Sequence, residues 1–350
     1  MYINPLIEQL ERKYPGGNRE GILRLDMNEN PGGLPLEVVE SVKRKLTSEF
    51  FSTYPDKTPL INSLAKFHGV STDNIAITDG SEMALKYIFE VFGKPGSNFV
   101  SVFPTFEMYG VYANMYGLNH KKIDVTKDFD IDVDQLLACI DENTSIVSLL
   151  NPNNPVGRPY TDEEFRLVAE KTKAIGSLLI IDEAYHYFYE GTQMSLLKEY
   201  DHIIVTRTFS KLFSIAACRI GYAVSSAKII KMINNARPTF DTNAIALLFA
   251  NELINNKELT QKLIATELEG REYLMAELDK AGYEYVYQGG NYVTIKVQTD
   301  SKIVAERLLT EKKISIKTSG YDFLKNYIRV TTGDVKYMEL FIEALLELDK

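Results

Sequence analysis

Through the middle of the chain, short apolar and β-branched runs alternate with helical patterns. The runs fall at residues 74–78, 98–102, 121–125, 145–150, 178–182, 202–206 and 220–224. Several are apolar at consecutive positions, as in Leu178-Leu-Ile-Ile-Asp182, which is the pattern of a strand covered on both faces. Helical periodicity occupies residues 81–92, 161–174 and 226–236, and Thr161 with Glu164 forms a capping box at the start of the second. Strands alternating with helices predict an α/β unit built on a mainly parallel, seven-stranded sheet flanked by helices.

The texture changes after Pro238. Residues 242–280 read as one long helix or two in series. Strand patterns at 283–286, 291–297, 314–317 and 327–330 follow, with helices at 302–312 and 335–348. This is a smaller α+β unit, and the Gly- and Pro-rich segment before Thr47 is expected to fold back onto it. The expected division is 1–46 as an N-terminal arm and part of the small domain, 47–240 as the large domain, and 241–350 as the small C-terminal domain.

Composition narrows the function by exclusion. A net charge of −9 over 350 residues argues against general nucleic-acid or anionic-membrane binding. No run approaches the roughly 18 apolar residues of a membrane span, and the first residues lack the basic and apolar regions of a signal peptide. Two distant cysteines, Cys139 and Cys218, fit a reducing, cytoplasmic compartment. The four histidines show no metal-binding spacing, and neither GxGxxG nor GxxxxGK[ST] is present.

The chemistry concentrates where predicted strands end. Lys211 follows a strand into apolar surroundings, which lower a lysine pKa and suit an amine that attacks a carbonyl. Eight residues on, Arg219 lies inside Ile-Ala-Ala-Cys-Arg-Ile-Gly and is expected to be buried against an anionic partner. Asp182 ends a strand and can hold a proton on a pyridine nitrogen, while Tyr185 and Asn154 can donate to a ring phenolate. Thr78-Asp-Gly-Ser-Glu82 opens a helix, an anion site that Thr208 and Ser210 can extend. Alone, each has an ordinary explanation: Asp182 as a helix cap or a solvated strand end, Asn154 as an Asn-Pro turn, Lys211 as surface charge. Together, in this order, they match the atoms of pyridoxal 5′-phosphate.

Asn-Pro-Asn-Asn-Pro-Val-Gly157, Asp-Glu-Ala-Tyr185, Ser-Lys211 with Arg219, and Arg329-Val-Thr-Thr-Gly resemble the fold-type I, class I/II pyridoxal-phosphate-dependent aminotransferases. Leu25-Asp-Met-Asn-Glu-Asn-Pro31, Tyr54-Pro-Asp56 and Arg207-Thr-Phe-Ser-Lys211 are similar to the histidinol-phosphate aminotransferase branch in particular. The resemblance implies an aspartate aminotransferase-like fold in which Lys211 bonds the cofactor aldehyde and shuttles the substrate proton. Asp182 would pair with the ring nitrogen, and Asn154 and Tyr185 would contact the phenolate. Gly80, Ser81, Glu82 (through its backbone), Thr208, Ser210 and Arg219 would surround the phosphate, and Phe106 would stack on the ring. Tyr54 would reach the neighbouring subunit's phosphate, implying a homodimer. Arg329 would bind the donor carboxylate, and Tyr14 and Asn28 belong to a segment closing over the substrate.

The chain departs from that pattern at Leu212, Ser214, Ala217 and Cys218, at Phe106 in place of a frequent tyrosine, at residues 238–243, and at Lys317 in place of a second substrate arginine. The expected reaction moves an amino group, with glutamate as donor, to a small phosphorylated carbonyl compound. Three rivals remain: decarboxylation of a phosphorylated amino acid on the same cofactor, a non-catalytic cofactor-binding regulatory module, and a protein that binds no cofactor.

Overall fold

The computed structural model describes residues 1–11 and 18–350, which carry twelve strands. In chain order these are β1 (Leu23–Leu25), β2 (Ile75–Thr78), β3 (Asn98–Phe103), β4 (Asn119–Asp124), β5 (Thr144–Leu150), β6 (Leu178–Asp182), β7 (Ile203–Thr208), β8 (Gly221–Ser225), β9 (Tyr285–Val286), β10 (Tyr292–Lys296), β11 (Ile314–Thr318) and β12 (Tyr327–Thr331). Seven of them form one sheet in the order β2-β8-β7-β6-β5-β3-β4. Five strands from β4 to β7 in that order pair parallel, whereas β8 runs antiparallel to both β7 and β2. The β7–β8 link contains only turns and a short 3-10 segment at Ala216–Cys218, with no crossover helix to bring the chain back in a parallel sense.

Successive residues of the central strands enter opposite cores, as strand alternation requires. Ile146, Ile180 and Ile204 pack with Phe89, Phe99 and Tyr109 on one face. Val147, Leu179, Ile181 and Val205 pack with Phe165 and Val168 on the other. The helix Asp162–Ile175 covers the second face and opens with the expected capping box, Thr161 and Glu164. Strand order turns back between β5 and β3, which puts a crevice at their carboxyl ends.

Residues 242–280 resolve into two helices in series, Ala244–Asn255 and Lys257–Ala281. Asn256 interrupts them, and its side chain caps the second by accepting from Leu259 N at 3.0 Å. The second helix bridges the cores: Leu259 packs with the β2/β8 side of the large sheet, and Leu274 and Leu278 with the small sheet. That small sheet has the order β1-β11-β12-β10-β9, and β1 pairs parallel with β11. The N-terminal segment thus folds back onto the C-terminal unit. At the junction Gly270 lies so close to the β12 exit that an added Cβ would stand 1.7 Å from Gly333 O. Among the described residues, no helix is long and apolar enough to cross a membrane.

Candidate active site

The carboxyl ends of β5, β6 and β7 open into a cavity of about 620 Å³. Its opposite wall comes from residues 26–29, β11, β12 and the loop between those two strands. Asn28, Ser81, Glu82, Phe106, Asn154, Asp182, Tyr185, Thr208, Ser210, Lys211, Arg219, Lys317 and Arg329, spread over 300 positions of sequence, all border this one space.

Lys211 sits in the turn after β7, half-buried, with Nζ donating to Met27 O at 2.9 Å. Burial first, then the nearby Arg329 and Arg219 cations, bring its amine down to about 8, against the opposing pull of Glu29 and Asp182. Asp182 ends β6 and is only 2% exposed. Its Oδ1 accepts from Ala184 N at 3.1 Å and its Oδ2 from Tyr109 Oη at 2.9 Å. Burial pushes this carboxyl up to about 6 although hydrogen bonds pull it down. A buried acid in this state is suited to a cationic N–H partner.

Tyr185 Oη accepts two amide donors, Asn154 Nδ2 at 2.6 Å and Asn28 Nδ2 at 2.9 Å. With both acceptor positions filled, its own proton is free to donate into the cavity. Asn28 is fully buried with left-handed backbone, φ 55°, and its N–H donates to Thr331 Oγ1 at 3.0 Å. Phe106 precedes the helix Glu107–Met115 and stands on the cavity wall.

Part of the cavity wall is an anion cradle. Gly80, at φ +77°, opens the helix Gly80–Phe92, and an added Cβ would lie 2.8 Å from Arg219 Nη2. Gly221 on β8 lies under the same turn, where a Cβ would lie 2.4 Å from Ser81 N. Thr208 Oγ1 donates to Ser210 Oγ at 3.0 Å and accepts from Ser210 N at 3.1 Å. Two glycines, a helix N-terminus, two hydroxyls and an arginine fit a phosphate group.

The expectation of a buried Arg219 fails. The residue follows the 3-10 segment in a left-handed conformation, φ 49°, and its side chain is 49% exposed. Ile215 and Ile220 turn into the core, while the guanidinium borders the cavity, 3.5 Å from Glu82 Oε2. A pair this exposed contributes little to stability, so the arginine remains available for an anion.

Arg329 on β12 donates from Nη1 to Asn154 Oδ1 at 2.5 Å and from Nη2 to Asp26 O at 2.8 Å, and its buried Nε has no protein partner. Lys317 faces it in register across β11–β12. Tyr54 lies away from this cavity, 75% exposed and stacked on Phe240 at 4.4 Å. Tyr14 lies outside the described residues. Tyr109, Asp26, Glu29 and Gly221 carry site contacts that the sequence patterns do not single out. For Tyr109 a signal existed, since it follows Phe106 by one helical turn.

A family model for aminotransferases of class I and II matches residues 20–345. The histidinol-phosphate aminotransferase of Thermococcus gammatolerans is 31% identical over 328 residues, covering 93% of this chain and 92% of its own length. That of Methanocaldococcus jannaschii is 31% identical over 351 residues, covering 97% and 92%. Among solved structures, the histidinol-phosphate aminotransferase of Sinorhizobium meliloti, determined in complex with pyridoxal 5′-phosphate, superposes with a TM-score of 0.86 at 23% identity, over 99% of this chain and 97% of that one. With the family matched along almost its whole length, and a cavity whose donors fit an aldehyde-bearing, phosphorylated pyridine, this chain belongs to the class I and II aminotransferases and is a pyridoxal-phosphate-dependent transaminase.

Proposed function

We propose that the enzyme transfers an amino group from glutamate to a small phosphorylated ketone, with imidazole acetol phosphate a candidate acceptor. Pyridoxal 5′-phosphate, when bound, supplies the aldehyde that takes up the amino group and the ring that draws electron density from the reacting bond. In this reading Lys211, held near neutrality by burial and by Arg329, takes the proton from substrate Cα and returns it on the cofactor side. Asp182 keeps a proton on the ring nitrogen, and Tyr185 donates to the phenolate. Gly80, Ser81, Glu82 through its backbone, Thr208, Ser210 and Arg219 hold the phosphate, and Phe106 covers the ring.

The observation that carries the substrate reading is the pair of cations that β11 and β12 present to the cavity, apart in sequence from the phosphate cradle. Arg329 offers a planar fork for a carboxylate, and Lys317, in register beside it, offers a point charge for a second anionic group. A donor with two carboxylates and an acceptor with a phosphate both satisfy two cations. The names of the similar proteins support the same substrate class.

A homodimer is part of this proposal. Tyr54 and Phe240 form an exposed stacked pair, and Phe51 nearby in sequence is 64% exposed, a surface suited to a second copy whose cradle Tyr54 would complete. Cys139 and Cys218 are unpaired, which suits a cytoplasmic setting.

The test is a half-reaction screen. Candidate amines, including glutamate, aspartate and histidinol phosphate, are added to the yellow holoenzyme, and conversion to the amine form of the cofactor is followed by absorbance. Conversion by glutamate, reversed by a phosphorylated ketone, supports the proposal. Carbon dioxide release from a phosphorylated amino acid without any acceptor would replace transamination as the main reaction.

A further inference from the structure

Behind Asp182 stands a residue that does not border the cavity. Tyr109 is fully buried on the helix Glu107–Met115, and its hydroxyl donates to Asp182 Oδ2 at 2.9 Å. Its ring packs edge-on against Phe106, with centroids 5.8 Å apart, and against Phe99 at 6.0 Å. Phe106 is the aromatic on the cavity wall, so one side chain braces both the acid and the aromatic expected to meet the cofactor ring.

We propose that Tyr109 is a positioning residue that keeps Asp182 an anion, and thereby keeps the cofactor's ring nitrogen protonated. The inference rests on the roles assigned above to Asp182 and to pyridoxal 5′-phosphate. A carboxyl buried this deeply resists ionisation, because removal from water disfavours its charged form. As a carboxylate, Asp182 accepts an N–H from the ring and balances its positive charge. As a neutral acid it would donate to an unprotonated nitrogen, and the ring would draw electrons less strongly. Ala184 N donates to Oδ1 and Tyr109 Oη to Oδ2, and the Thr206 side chain on the neighbouring strand also favours the ionised form, less than Tyr109 does. The backbone donor comes with the turn after β6. The phenol is the contribution that the sequence had to place, and a hydrogen bond to a carboxylate is stronger than one between neutral groups.

The phenol also fits only one role. It is too deep to meet a substrate, and a buried hydroxyl without a partner would be destabilising. Burial raises its own pKa well above that of a free tyrosine, so it stays a donor throughout the working range.

The experiment uses the full-length apoenzyme with Tyr109→Phe, which keeps the ring and its packing and removes the donor. Affinity is measured by titration with pyridoxal 5′-phosphate and with its analogue carrying carbon in place of the ring nitrogen, in both wild-type and Asp182→Ala backgrounds. Tyr109→Phe is expected to weaken pyridoxal 5′-phosphate roughly tenfold. The carbon analogue should bind within about twofold of wild type, and in the Asp182→Ala background the tyrosine substitution should change affinity for neither compound. Normal binding of the analogue also shows that the variant is folded. Unchanged affinity for pyridoxal 5′-phosphate, equal losses for both compounds, or an undiminished loss without Asp182 would each overturn the inference. If Asp182→Ala alone leaves cofactor binding intact, the assignment of Asp182 itself fails, a result distinct from failure of Tyr109.

Discussion

Asn154 donates its side-chain amide to Tyr185 Oη at 2.6 Å and, through the same amide's oxygen, accepts from Arg329 at 2.5 Å. One amide therefore joins the group that would meet the cofactor phenolate to the group that would meet the donor carboxylate. Asn154→Ala should disturb both at once. Steady-state kinetics with glutamate should show kcat/KM reduced at least tenfold, and apoenzyme titration should show weaker cofactor binding. The loss of a hydrogen bond to a charged group is worth about 1.5–3 kcal/mol. A change confined to one of the two readouts would contradict the shared role.

Arg329→Lys keeps a positive charge and loses the planar fork, together with the simultaneous bonds to Asn154 and Asp26. The KM for the amino donor should rise about tenfold or more, with a smaller effect on cofactor affinity. Donor KM values, compared with those of Lys317→Ala, separate the two cations: Lys317→Ala should weaken the phosphorylated acceptor more than the donor.

Lys211, poised at about 8, gives a pH signature. Only the neutral amine attacks an aldehyde, so capture of pyridoxal 5′-phosphate by the apoenzyme should accelerate as pH rises through about 8 and then level off. An unperturbed lysine would keep gaining toward pH 10.4. Arg329→Ala removes a cation that depresses this amine, so the midpoint should move upward; stopped-flow absorbance checks both. The stability sign follows from the same shift. Between about pH 8 and the ordinary lysine value, the unfolded chain holds a proton that the folded apoenzyme lacks, so Lys211's contribution to stability rises with pH across that window.

Much of this was legible in the chain because its strongest patterns are local. Leu178–Asp182 reads as a buried strand from five residues, and a carboxylate ending such a strand has to be matched or functional. Thr161 and Glu164 declare a helix start in four. What local pattern does not carry is direction and depth. Nothing in Gly221–Ser225 says that the strand runs against its neighbours, since that follows from the missing helix before it. Arg219 sits among apolar residues yet faces solvent, because a left-handed backbone turns it away from the core that Ile215 and Ile220 enter. The bond from Tyr109 to Asp182 spans 73 positions, beyond any periodicity.

The meeting of Gly270 and Gly333 leaves no room for a side chain. Gly270→Ala would drive a methyl into a backbone carbonyl, and the rigid helix around it cannot yield locally. Overpacking of this kind costs about 1–3 kcal/mol or more. The expected result is a melting temperature several degrees lower, read by thermal unfolding of the holoenzyme. An unchanged melting temperature would mean that the helix and the loop after β12 shift apart easily.

Asn28 reaches Tyr185 only while its own backbone is held by Thr331, 303 positions further along the chain. On the ribosome, the residue that helps orient this tyrosine is made those 303 positions before the one that seats it. The large sheet, complete by Ser225, can form before the small one, whose first strand waits for its partners at the end of the chain. A chain lacking β12 therefore leaves Tyr185 without one of its two amide donors. The exit of β12 is what closes the site.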